Sequence, residues 1–183
     1  MHTISAGGRK TYDMAYIALF TVLIIISAWI SIPTAVPFTM QTFGVFAAIA
    51  ILGGRRGTVS ILIYILLGAV GLPVFSGFKG GLGALFGQTG GFIFGFLFSA
   101  LLMWGMEKLF GKKSQVLLIS MLLGLFLCYA VGTLWFVYIY GKNMGEVGIG
   151  VVLGWCVLPF LIPDFVKLGL AYVLASKLRK YVV

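Results

Sequence analysis

Tyr12-Asp-Met-Ala-Tyr-Ile-Ala-Leu-Phe-Thr-Val-Leu-Ile-Ile-Ile-Ser-Ala-Trp-Ile-Ser-Ile32 is an apolar run long enough to cross a bilayer as a helix, since about 20 residues at 1.5 Å each cover roughly 30 Å of hydrocarbon. Arg9-Lys10 ahead of it would suit a secretory signal, but the run is too long for the apolar core of one, and no small-x-small cleavage site follows. It is read as a retained first helix.

Composition extends that reading to the whole chain. Its 183 residues are 61% hydrophobic and 9% charged, too little polarity to clothe a water-soluble domain, so a bilayer is the expected solvent. Further apolar segments at residues 38–52, 58–72, 84–106, 116–140 and 159–178 are separated by glycine, proline and basic clusters. The expectation is an all-α integral membrane protein with six transmembrane helices, a single domain over residues 1–183 and no internal repeat. Residues 38–52 and 58–72 are short for a span. Their outer ends are expected to continue as buried loop beside a binding site. Residues 141–158 are apolar but hold Gly141, Gly145, Gly148, Gly150 and Gly154, and are placed at the outer surface as a partly inserted helix.

Charge placement tests the count, because cytoplasmic loops collect Lys and Arg. With six helices and both termini cytoplasmic, Arg9, Lys10, Arg55, Arg56, Lys108, Lys112, Lys113, Lys177, Arg179 and Lys180 fall inside, and the outer loops hold Lys79 and Lys142. A seventh helix from Gly148 would throw the basic cluster at 177–180 outside. The net charge of +9 then reflects topology and contact with anionic lipid, and charges placed this way argue against a nucleic-acid partner.

Catalysis inside a membrane needs a Ser with a His, a pair of Asp, or a zinc site with two His. The single histidine is His2, and Asp164 has no second acid in its apolar segment. Gly111-Lys-Lys-Ser114 lacks the upstream glycine and the preceding strand of a phosphate loop. No enzymatic activity, metal or cofactor is expected. Cys128 and Cys156, in apolar surroundings and without metal-ligand spacing, are read as small buried hydrophobes.

Attention falls on charges where none should be. In Leu158-Pro-Phe-Leu-Ile-Pro-Asp-Phe-Val-Lys-Leu-Gly-Leu-Ala171, Asp164 and Lys167 sit three apart and so share a helix face. A charge at mid-membrane costs about 2.5–3.5 kcal/mol on insertion scales, and such residues face a cavity or a partner. Pro163 suits a first helical turn, which would put Asp164 near the positive end of the dipole. The pair either faces a substrate or simply neutralises itself within the helix. Outer loops supply the rest of a pocket: Pro33-Thr-Ala-Val-Pro-Phe-Thr-Met-Gln-Thr42 is proline-stiffened, and Gly71-Leu-Pro-Val-Phe-Ser-Gly-Phe-Lys-Gly-Gly-Leu-Gly83 is too glycine-rich for helix and too apolar for a solvated loop. From them Thr39, Gln41, Ser76, Gly77, Lys79 and Gly80 are candidate ligand-binding residues. Gly90, Gly91 and Gly95 are read as packing positions in the fourth helix.

Pro37-Phe-Thr-Met-Gln-Thr42, Leu52-Gly-Gly-Arg-Arg-Gly57, Leu67-Gly-Ala-Val-Gly-Leu-Pro-Val-Phe-Ser-Gly77, Gly80-Gly-Leu-Gly83, Gln88-Thr-Gly-Gly91 and Pro163-Asp-Phe-Val-Lys167, in that order, resemble the BioY family of biotin-specific S components of energy-coupling factor (ECF) transporters. The resemblance covers nearly the whole chain. It implies a six-helix, multi-pass S component in a prokaryotic cell membrane that binds biotin at its extracellular side, with outer loops closing the pocket. It also implies docking on a transmembrane T component that carries two ATPase subunits, through a small-residue pattern on the first helix that Ala18 and Val22 occupy here.

Biotin offers a ureido ring with two N–H donors and a carbonyl, an apolar thioether ring, and a valerate chain ending in a carboxylate. Asp164 can accept from a ureido N–H, and Lys167 can donate to the carbonyl. Phe75, Phe78 and Tyr172 are candidates to cover the apolar parts, and Lys79, Thr39 or Gln41 to hold the carboxylate. The competing readings are an S component for another vitamin, a solitary ion-coupled carrier with Asp164 as its proton site, and a structural membrane protein that binds nothing.

Overall fold

The structure, a computed structural model, describes residues 6–34 and 36–182; His2 and the side chain of Arg9 lie outside the described residues. In chain order come α1 (Ala6–Trp29), β1 (Ser31–Ile32), β2 (Phe38–Thr39), α2 (Gln41–Leu52), α3 (Gly54–Ala69), a 3-10 turn at Ser76–Phe78, α4 (Leu82–Leu85), α5 (Gly90–Phe110), α6 (Ser114–Met144), α7 (Ile149–Cys156) and α8 (Leu158–Val182). Four described stretches, Lys10–Trp29, Gly90–Phe110, Ser114–Met144 and Leu158–Val182, are long and apolar enough to cross a membrane. The helix α2 is apolar but has 12 residues, and α3 has 16.

Burial explains why α2 carries no polar face. Every residue from Gly44 to Leu52 is buried, because α1, α3 and α8 all pack against this helix. Close approach around it depends on glycine. A Cβ at Gly57 would lie 2.5 Å from Ile49 Cα of α2, and one at Gly54 would lie 2.5 Å from Trp104 Cα of α5. At Gly53, φ is +83°, a left-handed turn that lets the chain reverse from α2 into α3 across one residue.

Charged groups tie one end of the bundle. Glu107, near the end of α5, accepts from the Gly54 backbone N–H at 2.5 Å and from Arg179 Nη2 of α8 at 2.7 Å. Arg56 Nη1 donates to the Val182 carbonyl at 2.8 Å, and Arg56 Nε lies 3.4 Å from Asp13 Oδ1 of α1. Start of α1, start of α3, end of α5 and end of α8 therefore meet at one pole, the one that carries the basic clusters. A carboxylate against the first N–H of α3 also complements that helix's dipole.

At the other pole β1 and β2 form a minimal antiparallel hairpin, pairing Ser31 with Thr39 and Ile32 with Phe38. Trp29 Nε1 donates to the Pro73 carbonyl at 2.8 Å, which fastens the end of α1 to the loop after α3. One expectation is corrected here. The last helix begins at Leu158, so Pro159 occupies the first turn, Pro163 lies inside the helix, and Asp164 sits beyond the reach of the dipole's first turn. Residues 141–158 divide between the end of α6, a short glycine-bearing link, α7 and the first residue of α8.

Candidate binding site

The pole with the hairpin encloses a cavity of about 640 Å³. That size lies within the range of about 300–1,000 Å³ usual for small-molecule sites. Its walls come from the hairpin, the start of α2, the loop after α3, the start of α5, the middle of α6, the end of α7 and the first turns of α8. Along α8, Asp164 precedes Arg179 by fifteen residues, so the cavity lies about 22 Å from the Glu107 cluster.

Asp164 and Lys167 both line this cavity and are buried, at 3% and 5% exposure. Lys167 Nζ donates to Asp164 Oδ1 at 2.8 Å and to the Thr39 carbonyl at 2.7 Å, and it lies 4.1 Å from the centre of the Phe38 ring. Phe38 in turn stacks on Phe160, centroids 5.8 Å apart. Tyr129 of α6 donates its hydroxyl to Asp164 Oδ2 at 2.7 Å. Two buried charges are thus compensated by each other, by a hydroxyl, by a main-chain oxygen and by an aromatic face, which is what burial of ions demands. Thr39 contributes its backbone oxygen to Lys167, and its hydroxyl accepts from the Gln41 N–H at 3.2 Å. The pair is an intrahelical ion pair, and it borders a cavity.

The remaining candidates divide. Gln41 lines the cavity with its amide donating to Tyr64 Oη at 3.0 Å, and Tyr64 meets Phe75 edge-on at 5.4 Å between centroids. Ser76, Lys79 and Gly80 line it as well. The Ser76 hydroxyl is buried without a hydrogen-bond partner among the described residues, and Lys79 makes no ion pair among them. Gly77 supplies a left-handed turn, φ +69°, but is outside the lining. Two aromatic assignments are corrected. Phe78 is 63% exposed and lies 5.1 Å from the Trp29 ring, on the outside of the loop that carries Phe75. Tyr172 is five residues past Lys167, about 140° around the helix and about 7.5 Å further along it; its hydroxyl shares a hydrogen bond with Ser114 Oγ, away from the cavity. Ala18 and Val22 are exposed on α1.

Sequence reasoning missed Tyr129, Phe38, Phe92, Phe96 and Gln88 as cavity or pair residues. Tyr129 gives no local signal, since a tyrosine in an apolar run reads as packing. Gln88, a polar residue among glycines next to a helix start, did carry one. Cys128 and Cys156 are buried, as expected of small hydrophobes, and both border the cavity. Among the described residues no cluster of His, Cys, Asp or Glu is arranged to hold a metal.

Comparison with known proteins gives this geometry a relationship. The BioY family model matches residues 2–183. The biotin transporter BioY of Thermotoga maritima is 39% identical over 88% of this chain and 92% of its own length. A probable biotin transporter BioY of Pyrococcus horikoshii is 37% identical over 93% and 98%. Among solved structures, the crystal structure of an S-component for biotin from an ECF-type ABC transporter superposes with a TM-score of 0.84 at 28% identity, over 97% of this chain and 95% of that one. On family match, identity and shared fold together, the chain belongs to the BioY family.

Proposed function

We propose that this chain is the biotin-capturing S component of an ECF-type uptake transporter, with its cavity facing the outside of the cell. The observation that carries the reading is the buried Asp164–Lys167 pair on the wall of a cavity of about 640 Å³. The pair places anionic acceptor and cationic donor side by side, the complement of a ureido group with N–H donors beside a carbonyl. Phe75, Phe92 and Phe96 offer apolar wall to the thioether ring and chain, while Lys79 and the unpartnered Ser76 hydroxyl suit the terminal carboxylate.

In this reading α1, α2, α3, α5, α6 and α8 are the six spans, both termini are cytoplasmic, and α7 lies at the outer surface. The basic Glu107 pole is then cytoplasmic, in keeping with the distribution of Lys and Arg. Energy comes from a T component with two ATPase subunits, met through the exposed Ala18–Val22 side of α1. The chain alone hydrolyses no ATP. The test is to purify it in detergent, denature it, and identify what it releases by mass spectrometry, with a panel of labelled vitamins competed against biotin. Retained biotin and selective competition are expected; equal binding of unrelated vitamins, or none of biotin, overturns the proposal.

A further inference from the structure

We infer that Tyr129 is a positioning residue: it fixes the plane of the Asp164 carboxylate, so that the acceptor direction left free beside Lys167 is held in register for a ligand N–H that adjoins a carbonyl. The inference rests on the proposed ligand and concerns how the site selects it.

An ionised carboxylate has about four lone-pair directions and a single soft torsion, χ2, whose preference is broad. One hydrogen bond would leave Asp164 free to rock about that torsion. Two bonds, to different oxygens from different helices, remove the freedom. Lys167, on the same helix, takes Oδ1 at 2.8 Å, and Tyr129, on α6, takes Oδ2 at 2.7 Å. One direction per oxygen then remains, and Asp164, Lys167 and Tyr129 all border the same cavity. In a five-membered cyclic urea the two N–H bonds diverge on opposite sides of the carbonyl, so Asp164 meets one N–H while Lys167 meets the adjoining carbonyl, and the alignment of that pair depends on the plane in which the carboxylate is held.

Tyr129 can hold that position because it is itself held. It is 7% exposed, and α6 is anchored against α5, where Gly95 meets Cys128 and the Cys128 thiol points to the Phe92 carbonyl at 3.6 Å. Between α6 and α8 the described residues make two side-chain hydrogen bonds, Tyr129 to Asp164 in the cavity wall and Ser114 with Tyr172 further along α8. The first of these registers α8 against α6 at the site.

Replacing Tyr129 by 4-aminophenylalanine keeps a donor in place, 4-methylphenylalanine keeps the volume without a donor, and Tyr129→Phe removes the hydroxyl. The readouts are the biotin dissociation constant by isothermal titration and the melting temperature of the unliganded protein. The amino variant is expected to stay within about threefold of the parent. The methyl and Phe variants should weaken biotin roughly tenfold or more, the scale of one charge-assisted hydrogen bond. In an Asp164→Asn background the same substitutions should cost less than about threefold, because the group they position is gone. Equal behaviour of the amino and methyl variants overturns the inference, and so do losses that multiply with Asp164→Asn. A parent that binds no biotin overturns the proposed function, and this inference with it. If Tyr129→Phe fails to fold, the amino and methyl pair still decides.

Discussion

Removing either member of the Asp164–Lys167 pair should have unequal consequences for folding and similar consequences for binding. In Asp164→Asn the amide oxygen can keep the bond from Lys167, and the new NH₂ meets the Tyr129 hydroxyl, which can turn to accept it. The displaced Tyr129 hydroxyl hydrogen and the second amide hydrogen then border the cavity, where water can accept them, and the cation that remains still has the Thr39 carbonyl and the Phe38 ring. The fold should therefore lose about 1.5–3 kcal/mol, one charge-assisted bond's worth. In Lys167→Met a carboxylate that is 3% exposed keeps Tyr129 alone, the situation of a broken buried ion pair, and the loss should be about 3–5 kcal/mol. The double substitution should recover most of that stability, since neither charge is left stranded. Binding should follow a different order: each single change should raise the biotin dissociation constant roughly ten- to a hundredfold, and the double change should restore nothing. Thermal melts of unliganded protein and isothermal titrations on the three variants give both orders. Near-native affinity in the double variant would refute the reasoning, for the pair would then serve only itself.

With the two buried cysteines replaced, Arg55→Cys should be shielded from an impermeant thiol reagent added outside the cell and Gly141→Cys should react; the converse reverses the orientation. Glu107→Gln should lower stability by about 1–3 kcal/mol, since Arg179 and the start of α3 lose a shared charged acceptor. Its biotin affinity, measured by titration, should stay within about threefold, because the cavity is at the opposite pole. At Gly68 a Cβ would stand 1.9 Å from Phe75 Cζ, so Gly68→Ala should push that ring into the cavity, destabilise by about 1–3 kcal/mol and weaken biotin binding; unchanged binding would separate Phe75 from the ligand.

The four long spans were legible because a largely apolar run of 20 residues has few other uses. Short elements were less so. The hairpin is two residues per strand, below any periodic signal, so α2 seemed to begin at residue 38 when it begins at Gln41. Arg55 and Arg56 read as loop, yet α3 starts at Gly54, because Glu107, distant in sequence, satisfies its first N–H. At the site, Asp164 and Lys167 were conspicuous through the cost of their charge. Tyr129 was not, since its meaning depends on how α6 lies against α8. Phe78 and Tyr172 were misplaced for a related reason: which way a loop turns at Gly77 or a helix faces after Lys167 is set by packing that no local pattern records.

The central helix α2 is shielded from lipid on every side by its neighbours, and this exempts it from hydrophobic mismatch. A 12-residue helix rises about 18 Å, and at a lipid-facing position a span so short would force the bilayer to thin or the helix to recruit partners. Inside a ring of longer helices the missing turns cost nothing of that kind. They leave room at the start of α2, where Gln41 and Thr42 line the cavity. Membrane thickness can then vary, acting on α1, α5, α6 and α8, while the helix that presents Gln41 and Thr42 to the cavity is held by its neighbours alone.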